Sequence, residues 1–429
     1  MNKRLAITLL IALLLAVGTV GAIRFAKGYR LDLKKKQVTA TGLLVANSFP
    51  KGASVFINDK LTTATDDTLN LPPGNYQIKI VKDGFIPWEK ELQLEKELVT
   101  QTNARLFPTV PDLKGLTFAG ALNPTPSPDG QKIAFVVASA SAQLKNGLWV
   151  LNLADSPLSL SRDAYQVGRN TTVFDFTQAS LFWAPDSKQI LAKTEDNTFL
   201  LAADRLNPSA DLKDATAELP LIIERWQEEL ALKRTRQLEK LPLEIAQIAT
   251  RSAKNIYFSP DEEKLLYTAT VSAVIAEELV PSLPASNTQP EEREIKTGRI
   301  YVYDLKEDKN FFIAEAGKET ESEFDSTKKS AAKEKGFDWH QALTKLQNQY
   351  SPLSAEAIQW FPTSSHLILT EADKITILEY DGTNRAVVYA GPFAESFVYP
   401  WPDGSKLIIA TSLNPESSLS PNLYAIDLK

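Results

Sequence analysis

The chain has no cysteine, only two histidines (His340 and His366) and 18 glycines in 429 residues. Without cysteine there is no disulfide, thiolate zinc site, iron–sulfur ligation or cysteine nucleophile. Two imidazoles cannot form a three-histidine metal site within one chain, and they leave little scope for histidine-dependent catalysis. Glycine is scarce where a phosphate cradle would need it: neither a Gly-x-Gly-x-x-Gly nor a P-loop pattern occurs. A Gly-x-Ser-x-Gly nucleophile elbow is also missing. These absences point to a non-catalytic protein. No catalytic residue, metal ligand or cofactor is expected, and the sequence singles out no individual ligand-binding residue.

What is present can fill real cores. A chain of this length, 43% hydrophobic and 23% charged, is not disordered and suggests two or three folded units. The net charge of -6 hides an asymmetry. Residues 1–36 carry eight basic side chains (Lys3, Arg4, Arg24, Lys27, Arg30, Lys34, Lys35, Lys36) and one acid, Asp32, which leaves 39 basic and 52 acidic residues, a net of -13, in the rest. An acidic body argues against nucleic acid as the ligand, because phosphate binding needs concentrated Lys and Arg.

Residues 5–23 form an uncharged run of 19. At helical rise this spans about 28 Å, close to the hydrocarbon thickness of a bilayer. It reads as a signal-anchor helix between a cytoplasmic stub (1–4) and a basic linker (24–37). The competing reading is a cleaved secretory signal with Val20-Gly21-Ala22 at its cleavage site. Six basic residues follow the run within 13 positions. Taken alone, the positive-inside rule would place the body in the cytoplasm. The likeness of the segment to an export signal sets the opposite expectation, a single-pass protein with its body outside. Its basic linker would then meet anionic headgroups or wall polymers. Lipoprotein anchoring is excluded with cysteine.

Residues 38–107 alternate with the period of half-buried strands in Leu43-Leu44-Val45, Ser54-Val55-Phe56-Ile57 and Tyr76-Gln77-Ile78-Lys79-Ile80. Turn sequences separate them: Pro50-Lys51-Gly52-Ala53, Asn58-Asp59, Pro72-Pro73-Gly74-Asn75 and Lys82-Asp83-Gly84. The stretches 48–58, 71–80 and 83–85 together resemble the PEGA domain. Lys51 stands where that family's name has an acid, and Thr63-Ala64-Thr65 where a Gly-x-Thr-Pro turn is usual. The resemblance implies a small β-sandwich-like module without catalytic residues, serving as a spacer or binding unit.

From residue 108 to 429 one pattern returns five times: Pro126-Ser127-Pro128-Asp129-Gly130, Trp183-Ala184-Pro185-Asp186-Ser187, Phe258-Ser259-Pro260-Asp261-Glu262, Trp360-Phe361-Pro362-Thr363-Ser364 and Trp401-Pro402-Asp403-Gly404. Each copy leads into an apolar strand, and a second strand follows. Proline sets φ, aspartate bonds its own backbone and glycine takes the left-handed position. Units of turn, strand, loop and strand at this spacing indicate propeller blades. The copies resemble the WD40-like (PD40) repeats of TolB-type propellers. That likeness implies a ring of four-stranded blades, five or six here, closed by a strand from near 108–120. The predicted fold class is therefore all-β, with an N-terminal transmembrane helix, a PEGA-like sandwich and a five- or six-bladed propeller.

Two helical insertions are expected, near 212–250 and 317–355. In the first, Leu219, Ile222, Ile223, Trp226 and Leu230 keep helical spacing, and Pro242 starts a second short helix. Such helices would pack on the outside of their own blades, cover a ring face or bind a partner. Residues 280–297 read as a mobile loop. Both histidines read as structural. Trp183, Trp360 and Trp401, at one blade position, read as core. Asp129, Asp186, Asp261 and Asp403 read as turn-formers, because a catalytic carboxylate pair would not recur around a ring. Asn170-Thr171-Thr172 matches a glycosylation sequon.

The expected role is recognition or scaffolding at the cell envelope, with a protein or cell-wall polysaccharide as partner. A carbohydrate-active enzyme with two carboxylates is the alternative, as a glycosidase or lyase. A body facing the cytoplasm is a third possibility.

Overall fold

The computed structural model describes residues 3–26, 30–32, 37–153, 164–172, 174–281, 283–284, 287–316, 339–350, 358–394, 397–413 and 420–429. Parts of the stub and basic linker, and residues 317–338 and 351–357 of the second insertion, lie outside the described residues. The chain divides into two units, Met1–Thr109 with Pro281–Pro290, and Val110–Val280 with Glu291–Lys429.

Helix α1 (Lys3–Ala26) is 24 residues long, about 36 Å at helical rise. Its 18-residue window Ile7–Arg24 is unburied and apolar on every side, so the helix is long and apolar enough to cross a membrane.

The rest of the first unit is β-structure. One sheet has the order Lys60–Ala64, Ser54–Ile57, Gly74–Val81, Trp88–Leu94, and a second pairs Gly42–Ala46 with Val99–Gln101 and Asp67–Leu71. The period-2 pattern is realised directly. Val55, Ile57, Ile78, Ile80, Trp88, Leu92 and Leu94 point inward against Leu44, Ala46 and Leu106. Asn58 and Asp59 both take positive φ (49° and 63°), the geometry of a two-residue hairpin turn that matches strand twist. The two unusual positions are accommodated locally. Lys51 pairs with Asp66 at 3.2 Å, and the Thr65 hydroxyl accepts from the Ala53 N–H at 3.0 Å.

Part of the segment 280–297 that reads as a loop, Pro281–Pro290, belongs to this unit. The Gln289 amide donates to the Glu91 carbonyl at 2.7 Å, and the Gln93 N–H donates to the Thr288 hydroxyl at 3.4 Å. Trp88–Leu94 is an edge strand, so its outer backbone groups need partners. The polar composition that reads as a loop is also what satisfies such an edge.

The second unit is a β-propeller whose described residues form five larger antiparallel sheets and a two-stranded ribbon, Ala273–Val274 with Glu294–Ile295. Sheet I holds Leu122–Pro126, Lys132–Val137, Gly147–Asn152 and Tyr165–Arg169, and sheet II holds Ser180–Trp183, Gln189–Lys193 and Thr198–Ala202. Sheet III holds Ala253–Phe258, Lys264–Ala269, Arg299–Asp304 and Lys309–Glu315, and sheet IV holds Ile358–Trp360, His366–Glu371, Lys374–Glu379 and Ala386–Ala390. Sheet V combines Val398–Pro400, Lys406–Thr411 and Asn422–Asp427 with Leu113–Gly115. The register is Leu113 opposite Ile426, Lys114 opposite Ala425 and Gly115 opposite Tyr424. The unit's first strand thus completes its last sheet, which removes an open edge.

The strands are apolar on both faces because each sheet lies between neighbours. Val136, Leu148 and Val150 of sheet I pack on Trp183, Ile190 and Leu201 of sheet II. Leu266, Val302 and Phe311 of sheet III pack on Trp360, Leu367 and Leu378 of sheet IV. Ile408, Leu423 and Trp401 of sheet V pack on Ile133, Phe135 and Leu151 of sheet I.

Between sheets II and III the packing changes. Phe182, Ala184 and Leu191 of sheet II meet helices α2 (Leu219–Leu238) and α4 (Trp339–Tyr350). Leu265, Tyr267, Tyr301 and Tyr303 of sheet III meet α3 (Leu243–Arg251). The insertions therefore do not lie on the outside of their blades. They form a helical wedge packed against these faces of sheets II and III. The reason is in the sequence of sheet II: both its faces are apolar, so the face turned away from sheet I has to be covered. The stripe Leu219, Ile222, Ile223, Trp226, Leu230 covers it, all five side chains being buried.

Candidate ligand-binding site

The repeated turns explain the aspartates. Asp129 Oδ1 accepts from the Ser127 hydroxyl and the Gln131 N–H, at 2.5 and 3.0 Å. Asp261 Oδ1 accepts from the Ser259 hydroxyl and the Glu263 N–H, at 2.5 and 3.1 Å. Asp186 and Asp403 accept from the N–H two residues on, at 3.0 and 2.8 Å. Burial pushes the Asp261 and Asp403 carboxyls up, but these hydrogen bonds outweigh it and leave both below the usual carboxylate value. The residue after each of these positions is left-handed in all five copies: Gly130 (φ 71°), Ser187 (60°), Glu262 (58°), Ser364 (60°) and Gly404 (67°).

Serine at two of these positions links neighbouring blades. The Asp129 N–H donates to Ser187 Oγ at 3.0 Å, and the Asp261 N–H to Ser364 Oγ at 3.1 Å. The tryptophans repeat the device. Trp183 Nε1 donates to the Thr125 carbonyl at 2.9 Å, and Trp360 Nε1 to the Tyr257 carbonyl at 3.0 Å. Trp183 and Trp360 therefore hold one position and tie sheets together. Trp401 does not share it: it stands one residue nearer its Pro-Asp pair and is packed in the apolar seam between sheets V and I.

The other sequence candidates are also taken up by structure. His366 is buried, its Nδ1 lies 3.2 Å from the Thr363 hydroxyl and its ring meets Phe361 edge-on. His340 falls on α4, and its side chain is outside the described residues. The Asn170 amide donates to Asp175 Oδ1 at 2.6 Å while its Oδ1 accepts from the Phe176 N–H at 3.1 Å, so the sequon asparagine makes a turn. Among the described residues no group of three His, Asp or Glu side chains could hold a metal ion.

Two cavities of the unit lie beside the wedge, and a smaller one of about 230 Å³ lies between Leu116–Gly120 and Trp149. A cavity of about 580 Å³ is bounded by α2 (Leu230, Lys233, Arg234, Gln237), the first strand of sheet III (Asn255–Phe258), α4 (Lys345, Asn348, Gln349) and Pro128 of the sheet I turn. A second, of about 490 Å³, adjoins it between α2 and the turn residues Pro128, Pro185 and Glu262. Helix α2 serves two purposes along one face. Its stripe ends at Leu230, and the positions that continue the same spacing are Lys233, Arg234 and Gln237. The first half is thus apolar against sheet II, and the second presents cations and an amide toward sheet III.

The polar contacts across this gap are few and defined. Arg234 Nη1 donates to the Ile256 carbonyl at 3.0 Å, and the Tyr257 hydroxyl donates to the Asn348 carbonyl at 3.2 Å. Glu262 receives Lys240 and the Gln237 amide, which hold its carboxyl below the ordinary range. Burial lowers the Arg234 guanidinium from its ordinary value. At the sheet II side Lys193 Nζ lies 4.8 Å from the centre of the Trp339 ring, and burial pulls its pKa down. No site residue was named from the sequence. The signal that could have found this one is the switch from apolar to cationic on a single face of α2.

No curated protein matches the chain. Among solved structures it is similar to the putative TolB from Agrobacterium tumefaciens (12% identity over 73% of this chain and 83% of that one, TM-score 0.22). It is also similar to TolB from Acinetobacter baumannii (13%, 83% and 61%, TM-score 0.22), and to an oligogalacturonate lyase solved in complex with manganese (9%, 91% and 91%, TM-score 0.21). At such scores the order of the sheets, rather than these likenesses, carries the fold. Within the first unit, residues 41–109 match the family model of the PEGA domain.

Proposed function

We propose that this protein is a non-catalytic recognition or scaffolding component of the cell envelope. Helix α1 anchors it, with the body on the outer side, and the propeller binds a protein or a cell-wall polysaccharide. The observation that carries this reading is the use made of the repeat acids. Every aspartate that recurs around the ring is engaged in its own turn, and the sheet faces are covered by each other or by the wedge. Surface open to a ligand includes the cavities beside α2. A pocket of several hundred Å³ at the junction of two structural elements is a common setting for ligand binding. The PEGA match fits a spacer or binding module in the same chain.

The test uses the full-length protein in detergent micelles. It is mixed with purified insoluble wall polymer and sedimented. In parallel, a photo-crosslinking residue is placed at Leu232, which is 55% exposed on α2, and activated in intact cells. Co-sedimentation, or one discrete protein adduct, is the expected result. Neither, or the release of new sugar ends from the polymer, would contradict the reading, the latter in favour of a carbohydrate-active enzyme.

A further inference from the structure

The larger cavity has a composition at odds with the rest of the chain. The body is acidic overall, yet Lys233, Arg234 and Lys345 line this space and no Asp or Glu does. The two helices that supply these cations stand far apart in the sequence and pack together in the wedge. Among the described residues none of the three makes an ion pair. Two acids, Glu229 and Glu262, border the adjoining cavity; Glu262 is engaged by Lys240 and Gln237 and also feels the charge of Lys233. Arg234 spends one N–H on the Ile256 carbonyl and has four more in a planar fork. Arg234 is half-buried while Lys233 and Lys345 are exposed, and like charges gathered around one cavity repel one another and gain from a counter-charge. Packing alone does not call for cations at Lys233 and Arg234, which stand between Leu230, buried in the sheet II cluster, and Leu238, packed on the sheet III cluster.

We infer that the cavity between α2, α4 and sheet III binds a multiply charged anion through its phosphate or carboxylate groups. Arg234 supplies the fork that suits either group, and Lys233 and Lys345 act as point charges from two sides. The Gln237 and Gln349 amides, which line the same space, give hydrogen bonds that fix orientation. At about 580 Å³ the cavity suits one small polyanion, or the charged repeat of a longer polymer threaded past Pro128. This deepens the recognition reading by giving the chemical class of its ligand, and does not depend on the topology of α1.

The test is calorimetric titration of the full-length protein in neutral detergent at low salt with two probes, tripolyphosphate and citrate. Saturable binding of at least one, at one site per chain, is expected. Lys233→Gln and Lys345→Gln should each weaken it about tenfold or more, since a charge-assisted hydrogen bond is lost. Lys60→Gln, on an exposed strand of the other unit, should leave it unchanged. Tighter binding of tripolyphosphate marks a phosphate-bearing ligand, and tighter binding of citrate a carboxylate-bearing one. Arg234→Lys keeps the charge but not the fork, and should cost affinity while the fold persists. Failure of both probes to bind, or binding indifferent to Lys233 and Lys345, would overturn the assignment. If that failure came with co-sedimentation on wall polymer, only the anion assignment would fall. Anion binding without any envelope partner would instead remove the envelope role and keep the site.

Discussion

Trp226→Ala should destabilise the propeller by about 3–5 kcal/mol, the usual cost of removing a large buried aromatic. Trp226 is buried at the centre of the α2 stripe, between Ile222, Ile223 and Leu230, against Phe182 and Leu191 of sheet II. If the wedge is part of the ring, its loss uncovers the face of sheet II and loosens the whole ring. Denaturant unfolding followed by far-ultraviolet dichroism should then show the helical and β signals shifting together. Leu221→Ala on the same helix, at a side chain 57% exposed, should change stability by no more than about 0.5 kcal/mol. Melting of the helical signal alone, with the β transition unmoved, would mean that the helices are an attached cover and not part of the ring.

Gly147→Ala should cost about 2–5 kcal/mol for a different reason. Gly147 opens the third strand of sheet I at φ 136°, a region that strains any residue with a side chain. A Cβ there would lie 2.2 Å from the Gly168 carbonyl oxygen and 3.0 Å from both Arg169 Cα and Asn170 N. These are backbone atoms of the paired strand, which cannot turn aside as a flexible side chain can. Strain of about 1–2 kcal/mol therefore adds to overpacking of about 1–3 kcal/mol. The comparison is Gly298→Ala, where φ is 81° and nothing lies within 4 Å of the new atom. That change should cost about 1 kcal/mol. Equal losses at the two positions would show that the close approach of the strands at Gly147 has been misread.

These two residues also mark what the sequence discloses. Trp226 falls on a helical stripe that can be read by spacing, so the existence of α2 was legible. Its location was not. Periodicity identifies which face of a helix is apolar, but not which sheet that face will meet. The answer lies in sheet II, whose second apolar face has no neighbouring sheet to cover it. Gly147 carries no signal at all, because the close approach arises from the opposite strand. The propeller turns were legible in full, since proline, aspartate and a left-handed residue form a local device that repeats. Their connection between blades was not: Ser187 and Trp183 bond to Asp129 and Thr125 across a gap that no local pattern records. The same holds for the candidate site. Lys233 and Arg234 are visible as a charged turn of α2, but only the fold brings Lys345 to the same cavity.

The segment 281–290 gives the converse lesson. Its prolines, serine and asparagine suggest freedom, and composition alone cannot indicate that an edge strand lies within reach of Thr288 and Gln289.

The most direct test of the account as a whole is the side of the membrane on which the propeller stands. The chain has no native cysteine, so Ser141→Cys, in the exposed loop between the second and third strands of sheet I, provides a unique label site. Intact cells would be treated with a membrane-impermeant maleimide and compared with lysed cells. Labelling without lysis is the result expected for a recognition protein displayed outside the cytoplasm. Labelling only after lysis, with the variant folded and membrane-bound, would place the propeller inside. It would also make the basic stretch after α1 the true topology signal and contradict the envelope-recognition account.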